Sequence, residues 1–156
     1  MGGDPPRGPD AAIEEAIFSI AAAALAGSLD LWDDRVVATL GYAPVEAEPG
    51  VRLIGQSDAD VMIVIERTRG KPGCAIRFAT ADTRSACERL YRRARQLGFT
   101  GVDGERAAPE PGFQLDTLVA PDGPIAILTI IRLDDPAAPA GVNIYPPPPG
   151  GEHAEV

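Results

Sequence analysis

The sequence contains few of the residues that carry covalent or metal chemistry. Its 156 residues include two cysteines and one histidine, and aromatic residues make up 5% of the chain. Two cysteines are too few for a disulfide scaffold, and we interpret Cys74 and Cys87 as reduced core residues. His153 lies alone near the C-terminus, so we expect neither a metal site nor a catalytic role for it. Because no nucleophile lies beside a base, covalent catalysis is not predicted.

Basic residues are also scarce. Lysine and arginine number 14 against 23 acidic residues, which gives a formal net charge of -9. Such a protein repels phosphate backbones and anionic lipid headgroups, so we expect neither a nucleic-acid nor a membrane partner. Five arginines do fall in one segment, but an arginine-covered helix on an acidic protein is usually its solvated face. These are Arg84, Arg89, Arg92, Arg93 and Arg95.

No apolar run is long enough to cross a bilayer. The apolar stretch at residues 17–26 is too short for a membrane span. Four acidic residues and a single basic residue, Arg7, precede it, whereas an export signal carries a positively charged leader. We therefore expect a cytoplasmic protein.

The chain does have enough apolar residues for a core. Hydrophobic residues make up 45% of it, which suits one compact domain or two fused half-units. Proline, glycine and acidic residues dominate both ends, so we expect residues 1–10 to be disordered and residues 134–156 to form a tail that buries little. Polyproline tails of this kind usually stay extended and solvated, although some bind partner proteins.

The clearest secondary-structure pattern surrounds one predicted helix. Asp82 is a good N-cap and Gly98 a good C-cap, with an apolar stripe between them. Residues 74–79 alternate as a strand does, which places Arg77 on the face away from the helix, where a second layer or a ligand would have to satisfy its donors. Cys74 and Cys87 would meet between strand and helix, where a disulfide is the alternative to two thiols.

Three more strands are predicted after this helix. A short strand occupies about 99–102, a longer one 113–119, and residues 121–124 form a strong turn signal. The last strand, 125–133, carries apolar residues on both faces, so we expect both faces to be buried. Residues 70–133 therefore follow the order strand, helix and three strands.

The first half repeats this order more faintly. Residues 51–55 and 61–66 form a hairpin pattern, and a helix is predicted over about 30–40. The segment 16–26 is ambiguous, because its alanines favour a helix whereas its isoleucines and phenylalanine suit a strand. The repeat favours a strand. We therefore predict an α+β fold of two βαβββ modules, residues 11–69 and 70–133.

This order and spacing resembles that of the vicinal oxygen chelate superfamily, which includes glyoxalases, bleomycin-resistance proteins and extradiol dioxygenases. The resemblance covers about residues 16–133 and implies that the two modules form a cupped mixed sheet around a small-molecule site. The most specific matches are in the second half, at residues 75–78, 82, 97–99, 111–112 and 120–123. The first half contributes residues 29–30, 32 and 40–42.

The metal ligands of that superfamily are missing from the matching positions. Ala75 and Ile127 stand at two of them, and Val64 with Ala21 or Ala22 at the others. Alkyl side chains cannot coordinate a divalent cation. The resemblance therefore implies a protein without a metal or other cofactor, and metal-dependent glyoxalase or dioxygenase chemistry is not expected.

The resemblance also implies which side chains line the cup. Arg77 would pair with a carboxylate or phenolate of a ligand, or with Asp116 or Glu66 of the protein itself. Trp32 would either stack on a planar ligand or pack in the core. The candidate ligand-binding residues are Arg77, Gln114, Asp116, Glu66, Met62 and Trp32.

Three functions are consistent with this interpretation. The first is a binding protein that sequesters a small, planar and partly hydrophobic molecule, similar to the bleomycin-resistance type. The second is a metal-independent enzyme, lyase-like or isomerase-like, in which Asp116 or Glu66 is a general base. The third is an adaptor that binds a partner protein through its acidic surface and its proline-rich tail. We also expect a homodimer, because members of the superfamily often dimerise and the sheet has edges to cover.

Overall fold

The described part of the chain begins with helices rather than a strand. The structure, a computed structural model, describes residues 8–57, 60–101, 113–121, 123–133 and 139–146. Helix α1 (Pro9–Glu15), a π-helical segment (Ala16–Ala21) and α2 (Ala22–Leu25) follow one another in helical backbone geometry. The short helix α3 (Asp34–Thr39) comes next.

The rest of the described chain forms one antiparallel sheet and one long helix. Helix α4 (Thr83–Gln96) separates two groups of four strands. The strands are β1 (Ala43–Val45), β2 (Val51–Ser57), β3 (Val61–Thr68), β4 (Cys74–Thr80), β5 (Thr100–Gly101), β6 (Phe113–Val119), β7 (Ile127–Leu133) and β8 (Ala140–Tyr145). Their order across the sheet is β1-β2-β3-β4-β8-β7-β6-β5. The sequence predicted a mixed sheet, but each described strand pair is antiparallel.

Each half of the sheet runs in chain order from its outer edge to the centre. The last strands of the two meanders, β4 and β8, pair at the centre, where Ile76 lies opposite Val142. The pair Ala75–Asn143 lies on one side of this point and the pair Arg77–Gly141 on the other, as an approximate two-fold relation between the halves requires. The repeating unit of the chain is therefore a helical stretch followed by a four-stranded meander.

One face of the sheet carries the core. Side chains of alternate strand residues pack with the helices, among them Ile63 of β3, Phe78 of β4 and Val142 of β8, each 0% exposed. Helix α4 contributes Leu90 and Ala94 to the same core. We call this the helix-covered face, and the other side of the sheet the open face.

Helix α4 and the two hairpins confirm the sequence prediction. The Asp82 side chain caps α4 by accepting a hydrogen bond from the Ser85 backbone N–H at 3.1 Å. Gly98 follows the helix with a φ of 97°, a conformation that favours glycine. The strands β2 and β3 pair as the first predicted hairpin, and β6 and β7 pair as the second.

The predicted strand at residues 16–26 is wrong. This segment belongs to the helical stretch, and its buried residues recur at helical spacing: Ile13, Ala16, Ile17, Ile20, Ala21 and Ala24. Apolar residues at intervals of three and four form one stripe on a helix. That stripe and the high helix propensity of alanine outweigh the strand preference of the isoleucines.

The prediction that residues 134–156 bury little is wrong for β8. Ala140, Val142 and Ile144 are buried and alternate with more exposed residues. The strand lies between β4 and β7 in the middle of the sheet. Its six residues are flanked by proline-rich sequence, which hid their alternating pattern. The rest of both predicted ends, residues 1–7 and 147–156, lies outside the described residues.

The predicted helix at 30–40 is shorter than expected. Asp33 caps α3 by accepting from the Arg35 N–H at 2.9 Å, in place of the predicted cap Asp30. Asp30 instead accepts a hydrogen bond from the Trp32 N–H at 2.9 Å.

No helix among the described residues is long and apolar enough to span a membrane.

Candidate functional site

Three of the six predicted ligand-binding residues lie together on the open face. Met62 and Glu66 of β3 and Arg77 of β4 share this side of the sheet. Val64 lies opposite Arg77, and Ala75 opposite Glu66, so Arg77 and Glu66 are diagonal neighbours. Among the described residues, no carboxylate lies within salt-bridge distance of Arg77.

Gln114 and Asp116 lie on the opposite, helix-covered face. They are 5% and 3% exposed, and the Gln114 Nε2 donates a hydrogen bond to the Asp116 Oδ1 at 3.2 Å. The prediction that Arg77 pairs with Asp116 is therefore wrong. Leu118 of the same strand is 1% exposed. Because side chains at every second position of a strand point to the same face, Gln114 and Asp116 point toward the helices with Leu118. The predicted register of β6 was off by one residue.

Trp32 is separate from both groups. The guanidinium of Arg69 lies over its ring, 4.2 Å from the centroid. Trp32 also lines a cavity of about 360 Å³ between the end of α2 and β3, together with Asp30 and Arg67. The structure therefore does not bring the six predicted residues into one site.

One cavity lies on the helix-covered side of the molecule. It has a volume of about 380 Å³ and lies among α1, the π-helical segment, the end of α4 and the loop before β7. We call it the aromatic cavity. Its walls are Glu14, Glu15, Phe18, Ser19, Ala22, Arg93, Leu97, Phe99, Pro124 and Ile125.

Two phenylalanines form the aromatic part of its wall. The rings of Phe18 and Phe99 pack edge to face, with centroids 6.1 Å apart and an interplanar angle of 64°. Phe18 belongs to the π-helical segment, whereas Phe99 follows α4. Since π-helical turns occur often at functional sites, the unusual backbone at this wall supports a binding role.

An ion pair supplies the polar part of the wall. The Arg93 Nε lies 3.3 Å from the Glu14 Oε1. Burial raises the pKa of the Glu14 carboxyl, an effect that the nearby guanidinium groups of Arg93 and Arg89 oppose. A second ion pair, Arg89 Nε to Asp10 Oδ2 at 2.8 Å, also joins α1 to α4. The two pairs fix the relative position of the helices that form the cavity.

Sequence reasoning missed this cavity for two reasons. The strand predicted at residues 16–26 removed Phe18 and Ser19 from any helix surface. The arginines of α4 were interpreted as a solvated face, yet Arg89 and Arg93 bind acidic residues of α1. The helical spacing of the isoleucines and alanines was the signal that could have revealed the first of these errors.

The two cysteines are reduced and lie in the core. Both Cys74 and Cys87 are buried. Burial raises the pKa of the Cys74 thiol to about 12, so very little reactive thiolate forms near neutral pH. Among the described residues, no group of three or more histidine, cysteine, aspartate or glutamate side chains is placed to hold a metal ion.

We therefore expect native protein to resist thiol alkylation. After treatment with iodoacetamide at pH 8, intact-mass spectrometry should show an unmodified native chain and two added groups after denaturation in guanidinium. Fast modification of Cys74 in the native protein, located by peptide mapping, would contradict the buried position of its thiol.

No family model, curated protein or solved structure matches this chain. A functional assignment therefore depends on the cavities and surfaces described above.

Proposed function

We propose that this protein is a metal-independent small-molecule-binding protein whose ligand lies in the aromatic cavity. The supporting observation is a cavity of about 380 Å³ that combines apolar walls with an ion pair between two helices. Its volume falls within the ~300–1,000 Å³ range of ligand sites, which are mainly apolar with a few polar groups. The proposed ligand is small, planar and partly hydrophobic.

The charges around the cavity favour neutral or cationic ligands over anionic ones. Two carboxylates, Glu14 and Glu15, and one guanidinium, Arg93, line it. The aromatic faces of Phe18 and Phe99 also attract cations. A planar cation could therefore interact with the rings and with the carboxylates together.

Sequestration is the role that we propose for this binding. It is the role implied by the likeness to bleomycin-resistance proteins, and β4, α4, β5, β6 and β7 do follow in the order strand, helix and three strands. We keep membership of the vicinal oxygen chelate superfamily as a hypothesis, because β8 lies between β4 and β7 and the first half begins with a helix.

The enzymatic alternative has less support. Its proposed general bases, Asp116 and Glu66, do not line the aromatic cavity. Asp116 is buried beneath the helices, whereas Glu66 lies on the open face with Arg77. The two carboxylates therefore cannot act on one substrate, and only Glu66 could act on a molecule held by Arg77.

Calorimetric titration with planar dyes tests the proposal. We expect EDTA-treated protein to bind the planar cation berberine more tightly than the planar anion pyrene-1-sulfonate. Ser19→Trp should weaken berberine binding by roughly tenfold or more, because the indole would fill the cavity that Ser19 lines.

The matched control is Ser85→Trp, which adds the same side chain at an exposed position in the first turn of α4. This variant should bind berberine as the original protein does. Equal binding by both tryptophan variants would place the dye elsewhere and contradict the proposed site. Binding that requires an added divalent cation would contradict metal independence.

A further inference from the structure

The open face of the sheet is unusually apolar. Of the six large hydrophobic side chains exposed among the described residues, five lie on it: Val45, Leu115, Val119, Ile127 and Tyr145. They come from four strands, and four of the five lie on the neighbouring strands β8, β7 and β6, whereas Val45 lies on the edge strand β1. Ile127 lies opposite Val119 on one side and Tyr145 on the other, so these three side chains form a continuous row. Exposed apolar surface of this kind often marks an interaction site.

The sequence of β7 indicates a second layer on this side. Apolar residues occupy both faces of the strand, a pattern typical of strands buried on both sides. Leu128 and Ile130 are buried under the helices, but Ile127, on the open face, is 38% exposed. The prediction that both faces are buried thus fails for the single chain, and it would hold if another layer packed on the open face.

The charge of this face is balanced, unlike that of the whole protein. Among the described side chains of the strands, the open face carries one acidic residue, Glu66, and one basic residue, Arg77. The protein as a whole has a net charge of -9. Two acidic copies would repel one another over most of their surface, but not where their open faces meet.

We propose that the open face binds the open face of a second copy of this chain. Six of its strands contain six to eight residues. With a rise of about 3.4 Å per residue and a strand spacing of about 4.8 Å, they cover roughly 700 Å². Two such faces reach the ~1,200–2,000 Å² total that stable interfaces bury.

The two charges are arranged for pairing between copies. Arg77 and Glu66 are diagonal neighbours, a separation of about 7–8 Å along the sheet. A two-fold axis in the plane of the interface, running between them, brings each Arg77 to Glu66 of the second copy. Both charges are then paired, and the described strand residues of the two open faces leave no unpaired charge between the sheets.

This dimer is independent of the proposed ligand site. The aromatic cavity lies among the helices and the loop before β7, on the other side of the sheet. Both cavities of a dimer would therefore stay accessible, and loss of dimerisation need not change ligand binding.

Sedimentation equilibrium of the full chain tests the proposal by charge reversal. The protein should be a dimer at 100 µM. Arg77→Glu should raise the dimer dissociation constant on the order of a hundredfold, because each new carboxylate faces Glu66 of the second copy. Glu66→Arg should do the same, and the double variant Arg77→Glu/Glu66→Arg should restore the dimer.

Two further variants serve as control and independent check. Arg92→Glu makes the same charge change at an exposed position of α4 and should leave the dimer intact. Ile127→Asp should prevent dimerisation through the apolar surface, with circular dichroism confirming the fold of each variant. A monomeric original protein, or a dimer that survives both Arg77→Glu and Ile127→Asp, would overturn the proposal.

Discussion

A chain that ends at Leu133 is expected not to fold. This truncation removes β8, which pairs with β4 on one side and with β7 on the other. Without β8, no strand pairing joins β1–β4 to β5–β7, because β4 and β7 are not neighbours in the sheet. The expected product is unfolded or aggregated, with a far-ultraviolet circular dichroism spectrum that lacks the native signal.

The size of this effect follows from what β8 buries. Val142 and Ile144 are both 0% exposed, and burying such a side chain contributes about 1.5–3 kcal/mol. Their removal also uncovers Ile76 and Phe78 of β4 and leaves backbone groups of two central strands unpaired. A protein whose net stability is about 5–15 kcal/mol cannot tolerate such a loss.

A chain that ends at Pro146 is the matched control. It keeps all of β8 and removes residues 147–156. We expect its melting temperature to remain close to that of the full chain, by differential scanning calorimetry. This shorter truncation is also the suitable test of the adaptor hypothesis, because it removes the terminal prolines without removing a central strand. A folded chain ending at Leu133 would contradict the strand order described here.

The second half of the fold was the more predictable, because its signals are local. Asp82 and Gly98 begin and end α4 through their own side chain and backbone conformation, and such preferences depend little on the rest of the chain. The hairpin of β6 and β7 likewise follows from a strong turn signal between two apolar runs. These elements were predicted with nearly correct boundaries.

The first helix and β8 were not predictable in the same way. The residue types of the segment 16–26 are compatible with both a strand and a helix, and the helical spacing of its buried residues favours the helix only if they pack against the sheet. The alternating pattern of β8 covers only six residues between proline-rich stretches. The strand is held in the sheet by its pairing with β4 on one side and β7 on the other. Both elements owe their stability to contacts distant in sequence.

The candidate site was predicted only in part, because each residue depends on the register of its strand. A correct register placed Met62, Glu66 and Arg77 on one face, whereas a one-residue error put Gln114 and Asp116 on the wrong one. The aromatic cavity depends on contacts between α1 and α4, which are far apart in sequence. No local pattern indicates such a contact.

Replacing Gly73 with alanine is expected to destabilise the protein by about 1–3 kcal/mol, the usual cost of overpacking a filled site. Gly73 precedes β4, and a Cβ atom there would lie 2.8 Å from the Ile144 carbonyl oxygen and 2.8 Å from the Tyr145 ring. The ring can move, but the carbonyl belongs to the backbone of β8. The junction of β4 and β8 would therefore have to separate.

Gly141→Ala provides the comparison within the same strand pair. A Cβ atom at Gly141 would approach the Ile76 carbonyl oxygen to 3.8 Å, an ordinary contact. Alanine also reduces the conformational entropy of the unfolded chain, so this variant should match or exceed the stability of the original protein. Urea denaturation of the two variants, at one protein concentration, measures the difference. Because Gly73 is crowded only when β8 lies beside β4, equal stability of the two variants would contradict the central position of β8, on which both halves of the sheet depend.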